Sequence, residues 1–558
     1  MRADGVRFRE LLDHPIQYCV PLFQRPYSWE DKHWQQLWTD LEELYENGDG
    51  GTHFIGAVVT LPLTDSPEGA STFMLIDGQQ RLTTLMVLLR VLEKEAERAG
   101  DAFLQRRLNE TYLTNLTRRE DVRFKLLPTQ GDRAAFLSIM QDDPVQGGSR
   151  LHDAARFFAQ RYSEGDTSGS PLNLERVINA VIGGLELVSV KLEKQDSPHR
   201  IFESLNNTGM PLSAADLIRN HIFMCLEPGE QERVYETAWR PLEKGLGTHL
   251  TGFFWRFLMM TGELPRWDAV YSTMRVRLSK VAPQDMGNFV AGLRDLGQTY
   301  RRIVDPAGAE PDPHLRKAMI RLNTWELETS YPYLLRLYQA ADGGLVTVED
   351  CRSILKALES YAVRRLVCGI PTNRLRRIFA KAAAEFTADK ALQQCEGHLA
   401  ANEWPSDERF RESFISFQAY VSSRLGRLRM ILASLESSFG HKEPADPDDG
   451  ATIEHIMPQT LTPEWKEMLG AQWAEEHDKW LHTIGNLTFS GYNVELGNRP
   501  FEEKRRILAD SHFELNKGVL SRDTWDASAI GGRARELGER SLLMWKRPTP
   551  LPSADSSS

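Results

Sequence analysis

The 558-residue chain exceeds what one hydrophobic core usually organises, so roughly two to four folded domains are expected. Its 41% hydrophobic and 26% charged residues are ordinary for a globular protein, and no run of about 18 apolar residues is present to span a membrane. The net charge of −11 excludes wholesale coating of DNA while leaving room for a local basic track.

The opening Met1-Arg2-Ala3-Asp4-Gly5 carries no apolar signal core. Cys19, Cys225, Cys351, Cys368 and Cys395 are too scattered for a disulfide framework or a zinc cluster, which fits a reducing cytoplasm.

Residues 1–235 read as a mixed α/β region. Pro21 and Pro26 make residues 22–29 a loop, and Ser28 or Asp31 is placed to cap the helix that follows. Trp34, Leu37, Trp38, Leu41 and Leu44 share one face of that helix. Residues 53–61 and 73–76 read as strands, ended by Asp77 and Gly78. A helix is expected from Gln79 to about Lys94, with Leu82, Leu85, Leu88, Leu89 and Leu92 facing a core. Residues 187–192 form another strand candidate, and residues 202–205 lead into the Asn206-Asn207-Thr208-Gly209 turn. Ser213 is placed to cap the helix carrying Asp216, Arg219 and Asn220.

Residues 236–440 read as a helical connecting domain, with helices opening at Tyr331-Pro332-Tyr333, over 353–367 and, as one long amphipathic stretch, over 414–435. The polar residues 440–450 read as a linker, a last domain spans 441–545, and the Pro- and Ser-rich residues 546–558 read as a disordered tail.

Two clusters carry chemistry. In the last domain, Glu454-His455-Ile456-Met457-Pro458 is followed by Ile484-Gly485-Asn486-Leu487, then Asn493, Asn498 and Lys504. An imidazole such as His455 has the basicity to take a proton from a water attacking phosphorus. Mg²⁺ favours oxygen ligands and keeps several waters, so one carboxylate and one amide oxygen suffice to hold it. Glu454 and His455 are neighbours on a short strand, where adjacent side chains alternate, so their convergence needs a distortion or a one-sided ligand. Residues 501–508 form the closing helix, whose Lys504 and Arg505 are placed to touch a DNA backbone. The bland alternative is a structural Glu-His pair with turn asparagines.

Upstream, Asp77-Gly78-Gln79-Gln80-Arg81 joins a strand to a helix start, where backbone donors suit phosphate. Arg81 offers a bidentate contact, Asp77 can hold Mg²⁺ or orient water, Gln79 and Gln80 can position water or read a base, and Thr83 and Thr84 add hydroxyls. The spacing is not that of a P-loop. Its bland reading is a glycine turn capped by glutamines. Arg374, Arg376 and Arg377, and again Arg424, Arg427 and Arg429, form basic patches suited to phosphates or to solvent.

Residues 451–545 resemble the HNH-type (His-Me finger) endonuclease domain DUF1524, through Glu454-His455-Ile456-Met457-Pro458-Gln459, Ile484-Gly485-Asn486-Leu487-Thr488, Asn493, Asn498, Pro500-Phe501, Lys504, Trp525 and Arg533-Ala534-Arg535. The resemblance implies a ββα-metal fold, Mg²⁺ or Mn²⁺ dependence and DNA strand cleavage. It implies His455 as general base, Asn486 as the residue that orients the histidine or the finger, and Glu454 with Asn493, the better match, or Asn498 as metal ligands. Residues 1–235 resemble the DUF262 domain with its ParB/sulfiredoxin-like core, through residues 23–29, His53-Phe54-Ile55-Gly56, Asp77-Gly78-Gln79-Gln80-Arg81-Leu82-Thr83-Thr84 and the 202–220 segment. That family implies an NTP-binding and often hydrolysing module, its pocket built from Gln24, Arg25, Asp77, Gly78, Gln79, Gln80, Arg81 and Thr83. Asn206 or Asn207 and Asp216 would line the far side, with Asp216 alternatively buttressing Arg219, and Trp29 and Trp34 are read as packing residues.

The pair of domains, with Tyr361-Ala362-Val363-Arg364-Arg365-Leu366 between them, resembles modification-dependent, type IV restriction enzymes of the GmrSD type and the phosphorothioate-sensing SspE-like proteins. The expectation is a multidomain α+β, NTP-regulated (GTP or ATP), metal-dependent endonuclease or nickase acting on double-stranded phage or modified DNA, with a homo-oligomer possible. The alternatives are an NTPase switch with a non-cutting finger, and a non-enzymatic DNA-binding assembly protein.

Overall fold

The computed structural model describes residues 2–22, 24–48, 51–64, 70–116, 118, 123–143, 148–166, 169–193, 213–440 and 450–548. The Asn206-Asn207 turn, most of the 440–450 linker and the end of the tail lie outside them. The chain packs as two units, residues 1–241 with 271–292, and residues 242–270 with 293–558.

The first unit is a mixed sheet covered by helices. Strands β1 (Arg2–Arg7), β2 (Ile16–Cys19), β3 (His53–Thr64), β4 (Ser71–Asp77), β5 (Leu126–Leu127) and β6 (Leu185–Lys191) lie in the order β1-β6-β3-β4-β2-β5. β3 runs antiparallel to β4 and parallel to β6, while β2 runs parallel to β4 and β5. Helix α1 (Asp31–Asn47) buries Trp34, Leu37, Trp38, Leu41 and Leu44, the face its spacing predicts. Its N-cap is Glu30 rather than Ser28 or Asp31. Ser28 is diverted because its backbone N–H donates to Gln80 Oε1 at 2.8 Å. Helix α2 (Gln79–Arg98) buries its leucine stripe completely and runs one turn further than expected. Helix α3 (Ala214–Cys225) is capped by Ser213, whose hydroxyl accepts from the Asp216 N–H.

Among the described residues the second unit is helical with one two-stranded sheet. Helix α4 (Tyr331–Asp342) opens at the Tyr-Pro-Tyr run, and α5 (Val348–Val367) starts earlier than expected because Thr347 caps it with Asp350. The single helix expected over 414–435 is instead two, α6 (Asp407–Ser416) and α7 (Leu425–Ser437). Between them the chain leaves the helical path because Gln418 bridges Thr483 and the N–H groups of Ala419 and Tyr420 both donate to the His482 carbonyl. Tertiary pairing thus overrides local amphipathicity.

Strands β7 (Thr452–His455) and β8 (Leu487–Ser490) form the antiparallel hairpin, with Glu454 opposite Thr488 and His455 opposite Leu487. Helices α8 (Phe501–Leu508) and α9 (Ala527–Met544) follow. One core joins Phe410, Phe414, Ile431 and Leu435 to Leu487 and Phe489 of β8 and Leu537 of α9. Arg364 of α5, fully buried, donates to the Trp545 and Pro405 carbonyls and pairs with Asp407. Among the described residues, no helix is long and apolar enough to cross a membrane.

Candidate functional site

Strand alternation on β7 decides how Glu454 and His455 are held. Glu454 receives the Lys504 ammonium at 2.8 Å, and the same ammonium donates to the His455 carbonyl at 2.9 Å. Lys504, expected at the DNA surface, is fully buried: the carboxylate and the carbonyl draw its ammonium inward. Arg505 remains partly exposed, near Asp523 and the Leu520 carbonyl. Burial raises the Glu454 carboxyl above its usual range, opposed by Lys504.

The His455 ring turns to other partners. Its Nε2 lies 3.2 Å from His482 Nδ1, and its ring packs edge-on against Tyr420 at 4.5 Å between centroids. Tyr420 stacks on His482 at 5.5 Å. Burial, reinforced by His482, Lys504 and His477, pushes the His455 imidazole down to about 4, so the ring is neutral near pH 7.

Asn486 is completely buried. Its Oδ1 accepts from the Met457 N–H at 2.7 Å and Trp525 Nε1 at 3.0 Å, and its Nδ2 donates to the Met457 and Leu481 carbonyls. It therefore locks the chain just after His455 to the 481–486 segment. Arg533, also buried, donates to the Gly485 and Leu487 carbonyls at 2.8 Å each.

Asn493 lies beside the start of β7, its Nδ2 donating to Thr452 Oγ1 and, at 3.3 Å, to the Ile453 carbonyl. Its Oδ1 is buried without a hydrogen-bond partner among the described residues. A buried, uncompensated amide oxygen is costly, and a cation relieves it. Asn498 is exposed in the turn before α8. Among the described residues no cluster of three or more His, Cys, Asp or Glu side chains is gathered.

The first unit holds the second cluster. Gly78 sits at a φ of +89°, where a Cβ would meet the Ala57 carbonyl at 2.9 Å, so a side chain there would break the β4-to-α2 turn. Gln24 Nε2 donates to the Ile76 carbonyl at 2.7 Å. Gln79 and Gln80, read from sequence as groups for water or a base, spend their amides on the loop before α1. Gln79 donates to the Arg25 carbonyl, and Gln80 accepts from Ser28 and donates to the Pro26 carbonyl.

Arg81 donates to the Ile55 carbonyl at 3.1 Å and pairs with Asp77 at 3.5 Å. Burial raises the Asp77 carboxyl, with Arg81, the Gly78 N–H and Arg25 opposing. Burial also lowers the Arg25 guanidinium, chiefly against Asp216. Arg25, Asp77, Arg81 and Asp216 therefore act on one electrostatic neighbourhood. Asp216 also pairs with the buried Arg219 at 2.9 Å, the buttressing alternative. Thr83 is buried, and Thr84 meets the Tyr27 hydroxyl at 2.7 Å. Trp34 is a packing residue that donates to the same hydroxyl.

Sequence reasoning missed His482 and Tyr420. His482 lies just upstream of Ile484-Gly485-Asn486-Leu487, a signal within reach. Tyr420 carries no local signal, because only the break between α6 and α7 brings it there.

The model of the GmrSD restriction endonuclease N-terminal domain matches residues 8–223, and that of the GmrSD restriction endonucleases C-terminal domain matches residues 404–540. Together they cover more than half of the chain. No curated protein matches it significantly.

Proposed function

The chain belongs to the GmrSD restriction endonuclease family, and from that premise we propose that it is a metal-dependent DNA endonuclease governed by nucleotide. In this reading residues 441–545 are an HNH, ββα-metal finger, residues 1–235 a ParB/sulfiredoxin-like nucleotide-binding domain, and the helical region transmits between them. The substrate is modified or phage double-stranded DNA, and the chemistry is hydrolysis of a phosphodiester.

One observation supports the finger reading most: the buried His455 next in sequence to Glu454 on β7, with the Asn493 Oδ1, unpartnered among the described residues, alongside the same strand. Glu454 and Asn493 would hold Mg²⁺ or Mn²⁺, and that ion supplies polarisation of the scissile phosphate and stabilisation of the leaving oxygen. His455 takes the proton from the attacking water. His482 and Tyr420 hold its ring in place, and Asn486 fixes the backbone behind it. Lys504 is a positioning residue that keeps Glu454 ionised and aligned.

In the first unit, Asp77, Arg81 and Arg25 with Asp216 form the nucleotide pocket, and GTP or ATP is its ligand. Gln24, Gln79 and Gln80 shape that pocket by holding its loop.

The test compares plain and modified phage DNA, with Mg²⁺ and each NTP, for wild type, His455→Ala and Asp77→Ala. Cleavage lost in His455→Ala with NTP hydrolysis retained supports the assignment. Equal cleavage by wild type and His455→Ala rejects the base, and cleavage of every DNA without nucleotide rejects the gating.

A further inference from the structure

The second unit contains a pocket of about 670 Å³ that neither cluster uses, lined from α5, the segments around residues 325–329 and 369–375, and the start of α7. Such a volume suits a small-molecule ligand. Three arginines line it, Arg365, Arg424 and Arg427, against one carboxylate, Glu326, which pairs with Arg427. Arg365 is 3% exposed, its guanidinium held by the Pro371 carbonyl and Glu403.

Four buried donors on this lining, Trp325 Nε1, Thr329 Oγ1, Arg365 Nε and Arg427 Nε, have no hydrogen-bond partner among the described residues. The three N–H groups each carry an uncompensated positive dipole end, which adds to the formal charge of the arginines, while the Thr329 hydroxyl can donate or accept. The Arg424 side chain, exposed on the lining, has no protein partner among the described residues. The rest of the lining is different: Leu327, Ala362, Leu366, Ile370 and Leu375 offer an apolar surface. Glu326 holds a left-handed backbone at a φ of +55°, a conformation that costs a non-glycine residue free energy and recurs at ligand sites.

An exposed arginine, further buried cationic groups and an apolar surface suit an anion with a flat apolar body. We propose that this pocket binds a nucleoside phosphate, its phosphate at Arg424 and Arg427 and its base against the Leu366–Ile370 side. The ligand is either a free nucleotide or one nucleotide unit of a DNA strand. Ser423 and Arg424 follow closely on Tyr420, which packs on His455, so the pocket sits on the segment that supports the histidine pair.

The experiment is isothermal titration of the full chain with ATP, GTP, dGMP and a 5′-phosphorylated thymidine tetranucleotide. Arg81→Ala serves as background to weaken the site in the first unit. Binding retained in that background, and weakened about tenfold or more by Arg424→Glu, is the expected result, the size of one charge-assisted contact. Thr372→Glu, a second exposed lining change, should act in the same direction. Response to mononucleotides identifies a free nucleotide as the ligand, and response to the oligonucleotide alone identifies a DNA unit. Binding of every probe unaffected by both changes, or absent in the Arg81→Ala background, overturns the proposal. The titration reads binding rather than cleavage, so its outcome is separate from that of the nuclease reading.

Discussion

The Lys504 ammonium lies 2.8 Å from the Glu454 carboxylate, with the lysine side chain fully buried and the glutamate 12% exposed. Two charges withdrawn this far from water hold each other in place, and the loss of one strands the other. Lys504→Met should therefore destabilise the second unit by about 3–5 kcal/mol. The double variant Lys504→Met/Glu454→Gln should recover part of that loss. Urea denaturation of wild type, Lys504→Met, Glu454→Gln and the double variant checks the cycle, and additive losses would refute the coupling.

Asn493→Ala removes the unpartnered amide oxygen while leaving β7 and β8 paired. The expected result is a requirement for at least about tenfold more Mg²⁺ or Mn²⁺ to reach half-maximal cleavage, with the unfolding midpoint little changed. Asn498→Ala, exposed in its turn, should leave the metal titration where it was. A reversed pattern would transfer the ligand role to Asn498. Chelation with EDTA should abolish cleavage by wild type.

Gly56 holds a φ of +106°, and a Cβ built there would collide with Arg81 Nη1. Gly56→Ala should cost about 1–3 kcal/mol of backbone strain in the first unit. It should also expel Arg81 from the Ile55 carbonyl and weaken nucleotide binding. Denaturation alongside nucleotide titration reads both effects.

Lys125 is 3% exposed, with its ammonium on the Leu12 and His14 carbonyls, and burial pushes it down to about 8 from the ordinary 10.5. The unfolded chain holds this proton more tightly than the folded one between those two values. Stability of the first unit should therefore rise as pH climbs from 8 to 10.5, by roughly 3 kcal/mol from this group. Lys125→Met should flatten that rise, and parallel slopes in both proteins would refute it.

Much of this was legible because it is periodic or local. The leucines of α2 and the tryptophan-leucine face of α1 repeat at helical spacing, and each lands in the core. The Ser213 cap with Asp216 and the turn at Gly78 also depend only on near neighbours. What escaped depends on distant chain. Gln79 and Gln80 bind a loop more than fifty residues away, so their type suggested chemistry while their partners make them clamps. The amphipathic run over 414–435 promised one helix, yet residues 418–420 pair with 482–483, some sixty positions on. The roles proposed for Glu454, His455 and Asn493 come from the chain alone, whereas the inward turn of Lys504 and the arrival of Tyr420 required the packed hairpin.

The core that α6 and α7 share with β8 and α9 has a consequence for how such proteins recombine. A segment excised at residue 450 would leave the apolar faces of Leu487, Phe489 and Leu537 without the side chains that shield them. The matched C-terminal domain begins at 404, upstream of both helices. Grafts between relatives should accordingly join near residue 404, where the transplanted piece brings its own shield, and those joined at 450 should aggregate.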